Sequence, residues 1–439
     1  MLSKSEVQTL RQDFPALQQV NPQNGKPPIY LDNSCVTIPS ESVVRAVFDY
    51  GTKYPGCGGH RSKHWFAGLT EEKLIESRRL MTDLLKVSSA RGIEGEVHPL
   101  IFTRNTTEGL NLVANRLGLM TDDTVVITNK EHNSNLCPWQ EFERRGGHVR
   151  FVSCGEDNTF DAQAFTSLIE QDPSVKVLAL HHSSNLDGVT VPLADIIAGV
   201  RAVERAQKRN IYIVVDGAQA APHLPLNLGT PEAPGFLDVD FYAGSLHKMM
   251  GPSGMGFLYS KPEFLDCMNP FLVGGSTIFE TSAYHHPVYA EWPDRFEAGL
   301  QNYAGIHGAG AAARYLAPLV DRIRDHEVAL NQCMTEILLP LHNAERLRIM
   351  GPVDPSKRGG VLTFLVPEAP DGPRVRRFED RAGDENLMYR AGQFCVDVWF
   401  STRKQQLPKR YTAIRLSAYI YNTVEEVEQA AGIVKEVFL

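Results

Sequence analysis

Residues 175–223 read VKVLALHHSSNLDGVTVPLADIIAGVRAVERAQKRNIYIVVDGAQAAPH. Two short apolar runs, VKVLAL (175–180) and IYIVV (211–215), flank the segment ADIIAGVRAVERAQKR, which has a helical pattern. Strand, helix, strand in that order requires a crossover, so the two strands lie parallel in one sheet. Both runs are apolar at nearly every position, as in strands covered on both faces. Similar runs recur at PLIFT (99–103), TVVIT (124–128), VRFVS (149–153), DFYAG (240–244) and MGFLYS (255–260). The pattern predicts an α/β fold, with a large domain over residues 31–305 built on a mainly parallel seven-stranded sheet.

From about Gly305 the pattern changes. GIHGAGAAARYLAPLVDRIRDHEVALNQCMTEILLPL is helical and Ala-rich, with an interruption expected near Pro318. GGVLTFLVP and AIRLSAYI read as strands. A last helix opens at YNTVEEVEQAAGIVKEV, where Thr423 and Glu426 have capping-box spacing and Val427, Ala430, Ala431 and Val434 make one apolar stripe. Residues 306–439 are therefore expected to form a smaller α/β domain, with residues 1–30 packing on it.

A chain of 439 residues is long enough for more than one core. At 43% hydrophobic and 22% charged it reads as a soluble globular protein. Net charge is −8, and no Lys/Arg cluster suggests nucleic acid or an acidic membrane surface as a partner. No apolar run is long enough to span a bilayer, and MLSKSEVQTLRQDFPAL lacks a secretory core, so a cytoplasmic protein is expected. Seven scattered cysteines without a CxxC pair argue against a disulfide framework and a Cys-based zinc site. His60 and His64 are four residues apart, but no carboxylate at motif spacing accompanies them, and no metal is expected.

The chemistry begins at YAGSLHKMMGPSGMG (242–256), where Lys248 follows an apolar strand with Ser245 and His247 beside it. Alone, Lys248 reads as an ordinary loop lysine. Asp216, just past IYIVV and followed by Gln219 and His223, changes that reading. Catalytic groups in open α/β sheets collect at the carboxyl ends of strands. A lysine and an acid at two such ends suit pyridoxal 5'-phosphate: the lysine forms a Schiff base with the aldehyde, and the acid keeps the pyridine nitrogen protonated. LIFTRNTTEGLNLVAN (100–115) reads as strand, turn and helix, with Thr106 and Thr107 at a helix N-terminus suited to a phosphate.

At these residues the sequence resembles the class V aminotransferase group of fold-type I PLP-dependent enzymes, in its cysteine desulfurase-like branch. The resemblance runs nearly the whole length, through DFPAL, IYLDNSCVT, HRSKH, TRNTTEGLNLVA, EHNSNLCPWQ, SSNLDGVTVPL, VDGAQAAPH, SLHKMMGPSGMG, GGST, RFEAGLQNYAGIHGAGAA, RAGQFC and RLSAYIYNT. It implies that Lys248 carries the cofactor and moves the Cα proton, that Asp216 pairs with the pyridine nitrogen, and that Gln219 reaches the ring hydroxyl. It further implies that His132 stacks on the ring, that Thr106, Thr107, Ser245 and His247 hold the phosphate, and that Asn185 lies by the ring hydroxyl and substrate. Arg415 would take the substrate α-carboxylate, which suits the guanidinium fork. His60, Arg61 and Arg390 would border the substrate, with Arg390 near Cys395. The family completes its site with a second subunit, so a homodimer is expected, with GGST (274–277, including Gly275) and RFEAGLQN reaching across.

Cys395 occupies the position of the family's sulfur-carrying cysteine, the nucleophile that takes a persulfide and leaves alanine. Its neighbours depart from the pattern. RAGQFCV stands where related desulfurases read Arg-x-Gly-His-His-Cys-Ala, Leu300 replaces a phosphate-reaching Thr, and DNSCVT replaces Asp-Asn-Ala-Ala-Thr. The resemblance implies a lyase acting at Cβ of a small L-amino acid: a cysteine desulfurase or related C–S lyase. An alternative is a β-decarboxylase or decarboxylative aldolase acting on L-aspartate, chemistry that occurs in fungal desulfurase-like enzymes of ustiloxin-type pathways. A class V aminotransferase or epimerase is a further option. A cofactor-free binding protein is disfavoured by the retention of Lys248, Asp216 and Arg415.

Overall fold

The seven apolar runs form one sheet in the computed structural model, which describes residues 2–58, 62–92 and 95–439. Its strands are β1 (Leu100–Thr103), β2 (Thr124–Thr128), β3 (His148–Val152), β4 (Val175–His181), β5 (Tyr212–Asp216), β6 (Phe241–Ser245) and β7 (Gly256–Ser260), in the order β1-β7-β6-β5-β4-β2-β3. Strands β3, β2, β4, β5 and β6 run parallel. β7 is antiparallel to both β6 and β1. The turn between β6 and β7 is too short for the crossover that a parallel strand needs, and it carries Lys248.

Helices α1 (Thr106–Arg116) and α2 (Asn133–Arg144) follow β1 and β2, and α3 (Leu193–Gln207) joins β4 to β5. The near-continuous apolar character of the central strands has a direct cause. Leu178, Leu180, Ile213 and Val215 pack into one core cluster, while Val177, Ala179 and Val214 between them pack into another on the opposite face.

Past the sheet, α4 (Tyr303–Leu316) and α5 (Val320–Asn343) are separated at residues 317–319, where Pro318 has no N–H to continue the helix. A four-stranded antiparallel sheet follows: β8 (Arg348–Ile349), β9 (Val361–Val366), β10 (Arg390–Ala391) and β11 (Thr412–Ser417), in the order β8-β9-β11-β10. The closing helix α6 (Val424–Phe438) has the full capping box: Glu426 N donates to Thr423 Oγ1, and Thr423 N donates to the Glu426 carboxylate.

A separate core joins Leu330, Met334 and Leu338 of α5 to Leu362, Phe364, Ile414 and Leu416 of the small sheet and to the Val427, Ala430, Ala431 and Val434 stripe of α6. The chain's beginning belongs to this second core. Ile29 and Leu31 pack in it, and Ile29–Tyr30 pairs in parallel with Leu387–Met388. Lys4 and Arg11 form ion pairs with Glu425 and Glu426. Among the described residues, no helix is long and apolar enough to cross a membrane.

Candidate active site

Parallel register sets His181, at the end of β4, beside Asp216, at the end of β5. The next strand, β6, ends at Ser245 and turns directly into Lys248. These strand ends open on a cavity of about 460 Å³ whose opposite wall comes from the second sheet: Arg390 and Ala391 of β10, Arg415 of β11, and the loop residues Phe394 and Cys395. Lys248, Asp216, His132, Cys395, Thr106, Thr107, Asn185, Gln219, Ser245, His247, Arg415 and Arg390 all line it. Gly275 lies apart from it, in a surface segment where its carbonyl accepts from Gly299 N at 2.8 Å. His60 and Arg61 lie outside the described residues.

One end of the cavity is an anion cradle. The N-termini of α1 and α2 both reach it, capped by Asn105 and His132 rather than by a threonine. Ser245 Oγ accepts from Thr106 N at 2.9 Å and lies 2.7 Å from Thr106 Oγ1. Thr107 Oγ1 is 2.7 Å from Ser134 Oγ. Hydroxyls at a helix N-terminus, where free N–H groups concentrate positive potential, are a phosphate-binding arrangement.

The middle of the cavity carries the titratable groups. Asp216 is buried, and burial raises its pKa against the opposing pull of the Ala218 N–H at 2.9 Å and the nearby Lys248. Burial, with Arg415 adding to it and Asp216 opposing it, brings the Lys248 amine down to about 8. Burial, and next the Lys248 charge, push His132 and His247 down to about 4, so both rings are neutral at pH 7. Glu131 holds His181 from behind, with Oε1 accepting from His181 N at 3.1 Å and lying 2.7 Å from Nδ1.

The other end is cationic. Arg415 is almost fully buried. It donates to Asn185 O at 2.8 Å, pairs with Asp32 at 3.4 Å, and leaves its Nε without a partner. The Phe394 ring covers its guanidinium at 4.8 Å. Asn185 Nδ2 donates to Phe394 O at 2.7 Å, so Asn185 joins the arginine to the cysteine loop. Gln219 Nε2 donates to Ser34 O at 2.6 Å. Arg390, expected near Cys395, lines the same cavity, pairs with Asp32 at 3.0 Å and donates from Nη2 to Cys35 Sγ at 2.6 Å.

The cavity includes residues that were not singled out as site residues: Ser34, Cys35, Asn105, Ser134, His181 and Phe394. His181 carried the same signal as Asp216, a polar residue ending a buried strand. Cys35 sat in DNSCVT, visible as a departure from the family but with no indication of its partner.

The aminotransferase class-V family model matches residues 29–430. The chain belongs to this family, in its cysteine desulfurase-like branch. It is 33% identical to the probable cysteine desulfurase 2 of Mycobacterium leprae, over 99% of this chain and 97% of that one. It is also 33% identical to the cysteine desulfurase of Serratia proteamaculans, over 96% of each. Among solved structures, it resembles the apo cysteine desulfurase of Thermococcus onnurineus, with TM-score 0.82, 30% identity and coverage of 99% and 98% of the two chains. It resembles cysteine desulfurase CsdA of Escherichia coli at TM-score 0.80 and 26% identity, over 98% of each. The class-V fold is therefore fold-type I, and the protein is a pyridoxal 5'-phosphate enzyme.

The cavity fits that cofactor by its donor set. A hydroxyl-lined helix N-terminus stands at one end, a carboxylate whose pKa is raised by its burial lies in the middle, and a lysine with a depressed pKa lies between them and the arginines.

Proposed function

We propose that this class-V enzyme is a cysteine desulfurase-type lyase acting at Cβ of L-cysteine, with Cys395 as the sulfur acceptor. The observation that carries the reading is that Cys395 lines the same cavity as Lys248, Asp216 and Arg415. In this reading Thr106, Thr107, Ser245 and His247 hold the cofactor phosphate, His132 lies against its ring, and Asp216 pairs with the ring nitrogen. Asn185 and Gln219 lie by the ring hydroxyl, and Lys248 is the attachment point. When bound, the cofactor supplies an electron sink for the pair left at Cα.

The protein's own groups do the rest. Arg415 takes the α-carboxylate; its unpartnered, buried Nε is a donor with no other use. A Lys248 amine with a pKa of about 8 is neutral often enough near pH 7–8 to take the Cα proton. The Cys395 thiolate attacks the substrate sulfur, the Cβ–S bond breaks, and Cβ is protonated to give alanine and a Cys395 persulfide. The loop that carries Cys395 is strained: Phe394 and Cys395 both have left-handed backbone, at φ 55° and 57°. Consecutive non-glycine residues of this kind persist where the surroundings impose them, and they cluster at functional sites.

A second reading, β-decarboxylation of L-aspartate, is favoured by one observation. Arg390 and Arg415 put two guanidiniums on one wall, which suits a dicarboxylate. Incubating the holoenzyme separately with L-cysteine and L-aspartate decides between them. Alanine and persulfide from cysteine, abolished in Cys395→Ala, are expected. Release of CO2 from aspartate that survives Cys395→Ala would establish the second reading instead.

The same reading takes the protein as an intracellular homodimer, which suits seven cysteines that are all free. Leu272, Val273, Phe279, Val288 and Leu300 are exposed apolar residues of the segment that holds Gly275, and a second subunit would cover them. That segment would bring Gly275 to the partner's cofactor. Residues 31–305 and 306–439 are taken as the large and small domains, with residues 1–30 belonging to the small one.

A further inference from the structure

The cavity holds two thiols, and the desulfurase reading uses one. Cys35 sits in the turn after Ile29–Tyr30 and is partly exposed. That turn is pinned. Cys35 N donates to Asp32 O at 3.0 Å, and Ser34 N donates to Ser417 Oγ at 2.9 Å. Arg390 Nη2 meets the Cys35 sulfur at 2.6 Å while its guanidinium also rests on Asp32. Reactive cysteines occupy partly exposed, electropositive surroundings of this kind.

Cys395 lines the same cavity as Cys35, and Arg390 and Arg415 stand on the same wall, with the Arg390 guanidinium shared between the Cys35 sulfur and Asp32.

We propose that Cys35 is a second sulfur-carrying thiol of this active site, taking the outer sulfur of the Cys395 persulfide. The inference rests on the desulfurase reading of Cys395. The Cys35 thiolate attacks the outer sulfur of Cys395–S–SH, and a new S–S bond forms at Cys35. The old S–S bond breaks, its electron pair leaves with Cys395 as a thiolate, and the proton on the transferred sulfur stays with it. No electrons are gained or lost overall, so no oxidant or reductant is needed. Cys395, on a strained loop at the cavity mouth, collects the sulfur, and Cys35, on a pinned turn beside Arg390, keeps it. Cys395 is then free for a second turnover before any external acceptor arrives.

The test uses the holoenzyme mixed with L-cysteine, alkylated without reductant, and digested for mass spectrometry of the two cysteine peptides. The wild type is expected to carry an extra sulfur on both, Cys35→Ser on Cys395 alone, and Cys395→Ala on neither. With substrate limited to two equivalents per site, wild type should form about twice the alanine of Cys35→Ser. Retained cofactor absorption in Cys35→Ser confirms that the variant is folded. Arg390→Gln should lower the alkylation rate of Cys35 in the resting enzyme about tenfold while leaving that of Cys395 unchanged. An extra sulfur confined to Cys395 in the wild type overturns the relay and leaves the desulfurase reading standing. An extra sulfur on Cys35 in Cys395→Ala also overturns it. No alanine and no sulfur on either cysteine overturns both.

Discussion

Arg390 and Arg415 stand directly opposite one another across the β10–β11 ladder. Like charges at such a position repel. Asp32 offsets this by reaching both guanidiniums, at 3.0 and 3.4 Å, and its own side chain is mostly buried. The substitution Asp32→Asn keeps the shape and removes the charge. It is expected to lower unfolding free energy by about 2–3 kcal/mol, the scale of a lost charge-assisted contact in a partly shielded site. Urea unfolding at low salt measures it, and an unchanged midpoint would mean that the arginine pair needs no counter-charge.

That arrangement also shows where sequence reading runs out. The large sheet is legible because each central strand sends alternate residues into two cores, so Val177 to Leu180 are all apolar. Asp216 is legible because it ends a buried strand, and Lys248 because it stands in the turn directly after one. The Cys35–Arg390 contact is not, because 355 residues separate the two and the contact exists only once the second sheet has packed on the first. Arg390 lines one cavity with Cys395, as its family position implies, while its guanidinium contacts Asp32 and Cys35. Gly275 is legible as a family motif, but it lies apart from its own chain's cavity.

Gly392 begins the turn into Cys395 with φ 118°, a region that is essentially closed to residues with a Cβ. No atom crowds the position where a Cβ would stand, so the cost of Gly392→Ala is conformational. Strain of about 1–3 kcal/mol is expected to shift the loop rather than unfold the protein. Alanine formation from L-cysteine should fall by about tenfold or more, with the cofactor absorption unchanged. A variant that turns over at the wild-type rate would show that the loop conformation does not position Cys395.

Leu300 is 74% exposed and stands where the family's phosphate-reaching threonine is expected. If the segment serves the partner's site, Leu300→Thr restores one hydroxyl contact to a phosphate. A hydrogen bond to a charged group is worth about 1.5–3 kcal/mol, so cofactor dissociation should slow by about tenfold or more. The effect should vanish at dilutions that separate the subunits. Faster loss of cofactor from the variant would count against a cross-subunit phosphate contact at this position.

His182 gives the pH dependence of the fold a definite sign. It lies buried past the end of β4, with Nδ1 3.1 Å from the Tyr242 hydroxyl. Burial, and next the charge of His181, bring it down from 6.5 to about 4. Between those values the unfolded chain binds a proton that the folded one does not, so stability rises with pH. Its contribution is fully present above pH 6.5 and is lost as pH falls towards 4. Between pH 7 and pH 5 this one residue accounts for about 2 kcal/mol. His182→Asn keeps a polar group near Tyr242 and removes the titration. Its unfolding free energy should therefore fall less steeply from pH 7 to pH 5 than that of the wild type, by about that amount. His132 and His247 add slope of the same sign in both proteins, so the difference between them isolates His182. Parallel curves would show that His182 is protonated in the folded state at pH 5, and that water or a rearranged Tyr242 relieves its burial.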